Sequence, residues 1–171
     1  VAAFGRLDAV VICAVKREHR RMADLDLASW RAALSSVLDS AFLVTRAAAP
    51  HLERSAGSIV LIGGLSAFIG SPGPATPNAK AGLGGFVRSA ALELGPSGVR
   101  INLLSPGRID AETDPPEHFA RMERGRPVGS IPLRRAGTPA DVAAATVALC
   151  SEAMAYVTGQ TLHVNGGLFF S

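Results

Sequence analysis

The stretch "GTPADVAAATVALCSEAMAYVTGQTLHVNGG", Gly137 to Gly167, decides the fold. Thr138 with Asp141 three residues later forms a reciprocal capping arrangement, and Pro139 between them suits a first helical position. A helix therefore starts there. Gln160 to Val164 is a short apolar run stopped by Asn165-Gly166-Gly167, which reads as a strand. Working back, "VRINLLS" (Val99 to Ser105) is another strand, broken by Pro106-Gly107. Before it lies an Ala/Gly-rich helix that ends near Leu94, stopped by Gly95-Pro96 and preceded by the loop "GSPGPATP". "SIVLI" (Ser58 to Ile62) is bounded by Gly57 and Gly63-Gly64. Asp26 precedes a helix whose apolar positions Trp30, Ala33, Leu34, Val37, Leu38, Ala41 and Phe42 follow helical spacing. "AVVICAV" (Ala9 to Val15) is continuously apolar, as a strand buried on both faces should be. Residues 110 to 137 read as an excursion with one short helix near His118 to Arg124. Strands alternating with helices predict a parallel sheet with right-handed crossovers.

Composition narrows the possibilities. The chain has 171 residues, which bounds it to one domain, and 48% hydrophobic residues, enough for a buried core. Its charge balance, 17 − 14 = +3, favours anionic ligands mildly, but 5% aromatics supply few stacking platforms, so nucleic acid is not expected as a partner. Cys13 and Cys150 each sit in an apolar run and read as buried thiols rather than a disulfide or metal framework. No apolar stretch reaches the ~18 residues of a membrane span, and no targeting signal opens the chain. These features predict a soluble, cytoplasmic domain with no metal and no membrane partner.

The segments "FGRLDAVVICAV", "GSIVLIGG", "AALELGPSGVRINLLSPGRID" and "IPLRRAGTPADVAAATVALCSEAMAYVTGQTLHVNGG" resemble, in the same order, those of the short-chain dehydrogenases/reductases. The resemblance runs from Phe4 to Gly167. It implies a Rossmann-like parallel sheet of about four strands with flanking helices, in a single domain over 1–171. In that family a first strand and a glycine-rich turn, TGxxxGxG, bind the dinucleotide pyrophosphate at a helix N-terminus. Nothing in this chain matches it. Residue 1 falls where the family's fourth strand is about to start, so two βαβ units, roughly 60–80 residues, have no counterpart. The resemblance thus implies a domain lacking the dinucleotide-binding half, either a natural truncation or a piece of a longer protein.

The family's catalytic positions carry over one by one. Its helix Asn matches Val37, and its Ser after the fifth strand falls at Gly63-Gly64. In its YxxxK pair the Lys matches Lys80, and Thr76 stands where Tyr would be. Its Asn-Asn-Ala-Gly appears as Ile12-Cys13-Ala14-Val15. A Thr hydroxyl is too weak an acid to replace a phenol whose pKa is lowered beside a Lys. The expectation is a protein that has lost NAD(P)-dependent redox chemistry and needs no cofactor. Lys80, Gly107 and Ile109 would be remnants of cofactor binding only.

Three functional classes follow. The first is a non-redox enzyme (isomerase, dehydratase or cyclase) acting on a small carbonyl-containing molecule, with Lys80, Thr76, Ser66 and His19 as catalytic candidates. The second is a non-catalytic partner subunit, and the third a fragment of an NAD(P)-dependent oxidoreductase. Thr76-Pro77 reads equally as a helix cap followed by Pro at the first turn. Lys16 to Arg21 follows the first strand's carboxyl end, where open α/β sheets bind ligands. His163, between Leu162 and Val164, reads as structural, and His51 as a cation at a helix end. The first strand would become an apolar edge, and the helix Ala79 to Leu94 is rich in small residues. Both predict a homo-oligomer.

Overall fold

The computed structural model describes residues 1–112 and 114–171, without the side chains of His118, Phe119 and Arg121. Four strands, β1 (Ala9–Ile12), β2 (Ser58–Ile62), β3 (Arg100–Pro106) and β4 (Thr161–Val164), form one sheet in the order β1-β2-β3-β4. Every pairing is parallel, with Val11 against Val60, Leu61 against Leu103, and Ser105 against His163. Parallel neighbours need long crossovers, and the helices supply them. The expected Rossmann-like architecture is the observed one.

Helices α1 (Leu27–Leu34) and α2 (Ser40–Leu52) run on through a π turn at Ser35–Asp39, so 27–52 is one continuous rod. Asp26 caps it, accepting from the Ser29 N–H at 2.7 Å. Its buried residues Ala33, Val37, Ala41, Thr45, Ala48 and Leu52 lie on one stripe. Helix α4 (Ala75–Leu94) packs beside it closely enough that a Cβ on Gly82 would stand 2.9 Å from a Leu38 methyl. Together they cover one sheet face over Ile12, Ile59, Leu61, Ile101 and Leu103. Helix α6 (Pro139–Cys150) covers the other face over Val60, Leu104, Leu162 and Val164. Its capping box is formed as the sequence predicts, Thr138 and Asp141 bonding reciprocally. The short α3 (Ser66–Ile69) follows β2, and α5 (Pro116–Gly125) lies in the excursion.

Several expectations need correction. Strand β1 stops at Ile12, and Val11 is 49% exposed, because α6 does not reach over this edge strand. Cys13, just past the strand end, is exposed rather than buried, and Cys150 is half-buried; both are free thiols. Phe42 lies off the Val37–Ala41–Thr45 stripe and is exposed with Leu43 and Val44. Helix α4 begins at Ala75, so Thr76 sits inside its first turn and is not the cap. His51 Nδ1 lies 2.6 Å from Arg54 Nη2 and accepts there, so the cation at this helix end is Arg54. The rod 27–52 is also long and apolar enough to cross a membrane by length and composition, although its charged residues interrupt any continuous apolar run. Here its buried stripe serves the core.

Candidate functional site

The carboxyl ends of the four strands are knitted together beyond the sheet itself. Gly63 N–H donates to Leu104 O at 2.8 Å, Leu65 N–H to Pro106 O at 2.9 Å, and Gly107 N–H to Val164 O at 2.9 Å. This fixes the loops in the place where open α/β sheets bind ligands. Lys80 reaches this end from α4 and donates from Nζ to Gly63 O at 2.6 Å. A Cβ added to Gly64 would stand 3.1 Å from that Nζ, whereas one on Gly63 would stand 3.0 Å from a core Leu103 methyl. Of the two glycines, Gly64 is therefore the one whose missing side chain opens onto the ammonium.

The Lys80 ammonium is held below its ordinary pKa, first by burial and then by the nearby Arg17 charge, while Cys13 opposes the shift. Among the described residues Gly63 O is its one acceptor, so two of its three N–H groups can serve a ligand. Arg17 and Cys13 are both exposed at this mouth.

Thr76 is placed differently. Its Oγ1 accepts from Glu18 N–H at 2.8 Å and donates to Glu18 O at 3.1 Å, so the hydroxyl proton is engaged. The side chain works as a pin that holds the loop after β1 against α4. Gly73, at φ +86°, completes the contact: a Cβ there would stand 2.7 Å from His19 O. Glu18 in turn binds Arg20, whose hydrogen bonds and charge hold the carboxylate down at about 2. Ser66 opens α3, its carbonyl accepting from Gly70 N–H. His19 lies exposed on the pinned loop. Of the four predicted side chains, the structure places Lys80 Nζ on Gly63 O beside the space at Gly64 and gives Thr76 a backbone partner. Val37, at the family's Asn position, is buried in the π turn.

Sequence reading missed Arg108. It is 5% exposed and binds Asp110 at 2.7 Å, Glu123 at 2.6 Å and Arg126 O at 2.9 Å, clipping the excursion to the end of β3. Its one local signal is an Arg directly after the strand-breaking Pro106-Gly107. Gly107 itself is required by packing, since a Cβ would stand 2.7 Å from the Asn165 Cα.

The family model described as enoyl-(acyl carrier protein) reductase matches residues 1–169. The 3-oxoacyl-[acyl-carrier-protein] reductase FabG of Buchnera aphidicola is 32% identical over 97% of this chain and 68% of its own length. Nodulation protein G of Azospirillum brasilense is 36% identical over 98% of this chain and 68% of its own. A solved short chain dehydrogenase/reductase family protein superposes with a TM-score of 0.82 at 32% identity, covering 97% of this chain and 68% of that one. The chain belongs to the short-chain dehydrogenase/reductase family.

Membership corrects one expectation outright. The non-redox, cofactor-independent isomerase, dehydratase or cyclase is overturned, because relatives matched over nearly the whole chain are named as reductases. The step from the expected replacements at Val37, Gly63-Gly64 and Thr76 to lost redox chemistry does not hold. In this short-chain dehydrogenase/reductase chain, the Lys80 ammonium has a glycine, Gly64, opened in front of it.

Proposed function

We propose that this chain is the substrate-side part of an NAD(P)-dependent oxidoreductase that reduces the 3-oxo group of an acyl thioester. The observation carrying this reading is the Lys80 ammonium, anchored on Gly63 O and facing the space that Gly64 leaves. The nicotinamide end of the cofactor fits the residues present. The bridge between Ile109 and Gly137 uses Gly137 N–H to Arg108 O and Asp110 N–H to Gly137 O, which leaves the Ile109 backbone groups for a carboxamide. Lys80 would hold a ribose hydroxyl with one of its remaining N–H groups. When bound, the reduced nicotinamide supplies a hydride to the carbonyl carbon.

The rest of the chemistry falls to the chain. Lys80 directs its other free N–H at the carbonyl oxygen and gives up a proton as that oxygen gains charge, leaving an alcohol. Burial and Arg17 ease that proton's departure by lowering the ammonium's pKa. Thr76 does not donate, because its hydroxyl is committed to Glu18 O. The loop pinned by Thr76 borders the site and carries Arg17 beside Lys80.

The test is consumption of NADPH or NADH with a 3-oxobutanoyl thioester, using the protein as its complete reading frame encodes it. Lys80→Met should lower kcat by a factor of about 10²–10⁴, the usual contribution of a positioned proton donor. No consumption by the unaltered protein, or an unchanged rate in Lys80→Met, would overturn the reading.

The same reading includes self-association and a cytoplasmic setting, the latter supported by two free thiols. Phe42, Leu43 and Val44 on α2 and Leu92 on α4 are exposed apolar residues, and a Cβ on Gly85 would meet nothing within 4 Å. That surface suits a second copy of the chain.

A further inference from the structure

His163 stands apart from the site chemistry. Both of its ring nitrogens are buried without a hydrogen-bond partner, and so is the Oγ of Ser105, its register neighbour on β3. The imidazole is wedged between two phenyl rings, with centroids 4.7 Å from Phe68 and 5.0 Å from Phe169, at interplanar angles of 76° and 63°. The two phenyls also touch each other at 5.6 Å. Phe68 belongs to α3, three residues past Leu65; Phe169 belongs to the C-terminal segment. One neutral ring therefore joins two segments that share no strand.

The surroundings offer an imidazolium little. Phe68 on α3 has no charged neighbour within that helix, β3 carries only Arg100 at its far end, and residues 165–170 carry no charge. The two phenyl faces attract a cation but accept no directed bond from both ring N–H groups, and Ser105 Oγ can accept one at most. Burial alone holds the His163 pKa below its ordinary value. Proton binding is thus coupled to opening: the charged ring must leave the wedge to be solvated.

Opening would travel. Asn165 donates to Phe169 O at 2.9 Å and accepts from Gly167 N–H at 2.8 Å, which folds the C-terminal segment back onto His163. The same turn packs on the excursion, where Leu133 N–H donates to Gly166 O, and a Cβ on Gly167 would stand 2.7 Å from a Pro132 carbon. We propose that His163 is an acid-released wedge: neutral, it holds α3 and the C-terminal segment closed beside the Lys80 site, and protonated, it frees both.

The test follows the four histidines by NMR while hydrogen exchange, normalised for intrinsic rates, is read by mass spectrometry across the same pH range. His163 should titrate more acidically than a free histidine. Amides of 66–70 and 165–170 should exchange at least tenfold faster once it is protonated, while those of 59–61 stay protected. His163→Phe keeps the ring and removes the proton, so its exchange should be flat with pH. Titration at or above the ordinary histidine value, or the same acid opening in His163→Phe, would overturn the proposal. Should His163→Phe not fold, the titration of the unaltered protein decides alone.

Discussion

Two adjacent glycines separate two kinds of requirement. Gly63 borders the core Leu103 side chain, which has no room to withdraw, so Gly63→Ser should cost about 1–3 kcal/mol of stability in chemical denaturation. Gly64 borders only the far end of Lys80, a flexible chain, so Gly64→Ser should stay within about 0.5 kcal/mol of the parent. The same change would set a hydroxyl beside Nζ, and on the reductase reading it should raise turnover. Equal destabilisation by both changes would contradict the packing described. Thr76→Val is isosteric but removes both bonds to Glu18. It should cost about 1–3 kcal/mol, because two backbone groups lose their partner, and exchange at 16–20 should quicken.

At the scale of elements, the excursion depends on one buried cation. Arg108→Met would leave Asp110 with its nearest charge gone, while Glu123, half exposed, can turn to water. The cost should reach roughly 2–4 kcal/mol, below the full range for a buried pair because one partner is solvated. Protease cleavage between 110 and 127 should then outpace cleavage elsewhere. The elements themselves were mostly legible. Asp26, Thr138 and Asp141 announced their helix starts because caps are local chemistry, and Ser58–Ile62 announced its strand because that strand is central and covered on both sides. Val11 and Phe42 misled because burial depends on which helix lies overhead, which spacing does not encode. Thr76 misled for a similar reason: its partner Glu18 is 58 residues away. Lys80 was legible because a charge in an apolar stretch needs a tertiary reason. Arg108 had such a reason too, but its carboxylates come from a segment without periodicity.

For the whole molecule, the proposed self-association uses the apolar residues exposed on α2 and α4. Light scattering on the purified protein should give at least a dimer, and Phe42→Asp with Leu92→Asp should shift it toward monomer without changing the circular dichroism spectrum. A monomeric parent would remove that surface from the account. The acid side of the stability curve has a stated sign as well. A histidine with a folded pKa below its unfolded value lets the unfolded chain bind more protons, so stability should fall as pH drops from about 6.5 through the His163 value.

The π turn at Ser35–Asp39 carries a consequence of its own. Ser40 N–H reaches back five residues to Ser35 O, so the rod holds one residue more than a regular helix between its two halves. That residue acts as a phase correction. Ala33, Val37, Ala41 and Thr45 recur every fourth position, a step that drifts around a regular helix of 3.6 residues per turn, and the widened turn absorbs the drift. Deleting Asp39 should let the turn relax to α-helix, and because the lost residue and the recovered twist are each about 100° and opposite in sense, everything downstream should keep its phase. Thr45, Ala48 and Leu52 would then stay on the sheet together, so a one-residue deletion in this turn should cost far less stability in chemical denaturation than the same deletion in the regular helix that follows it.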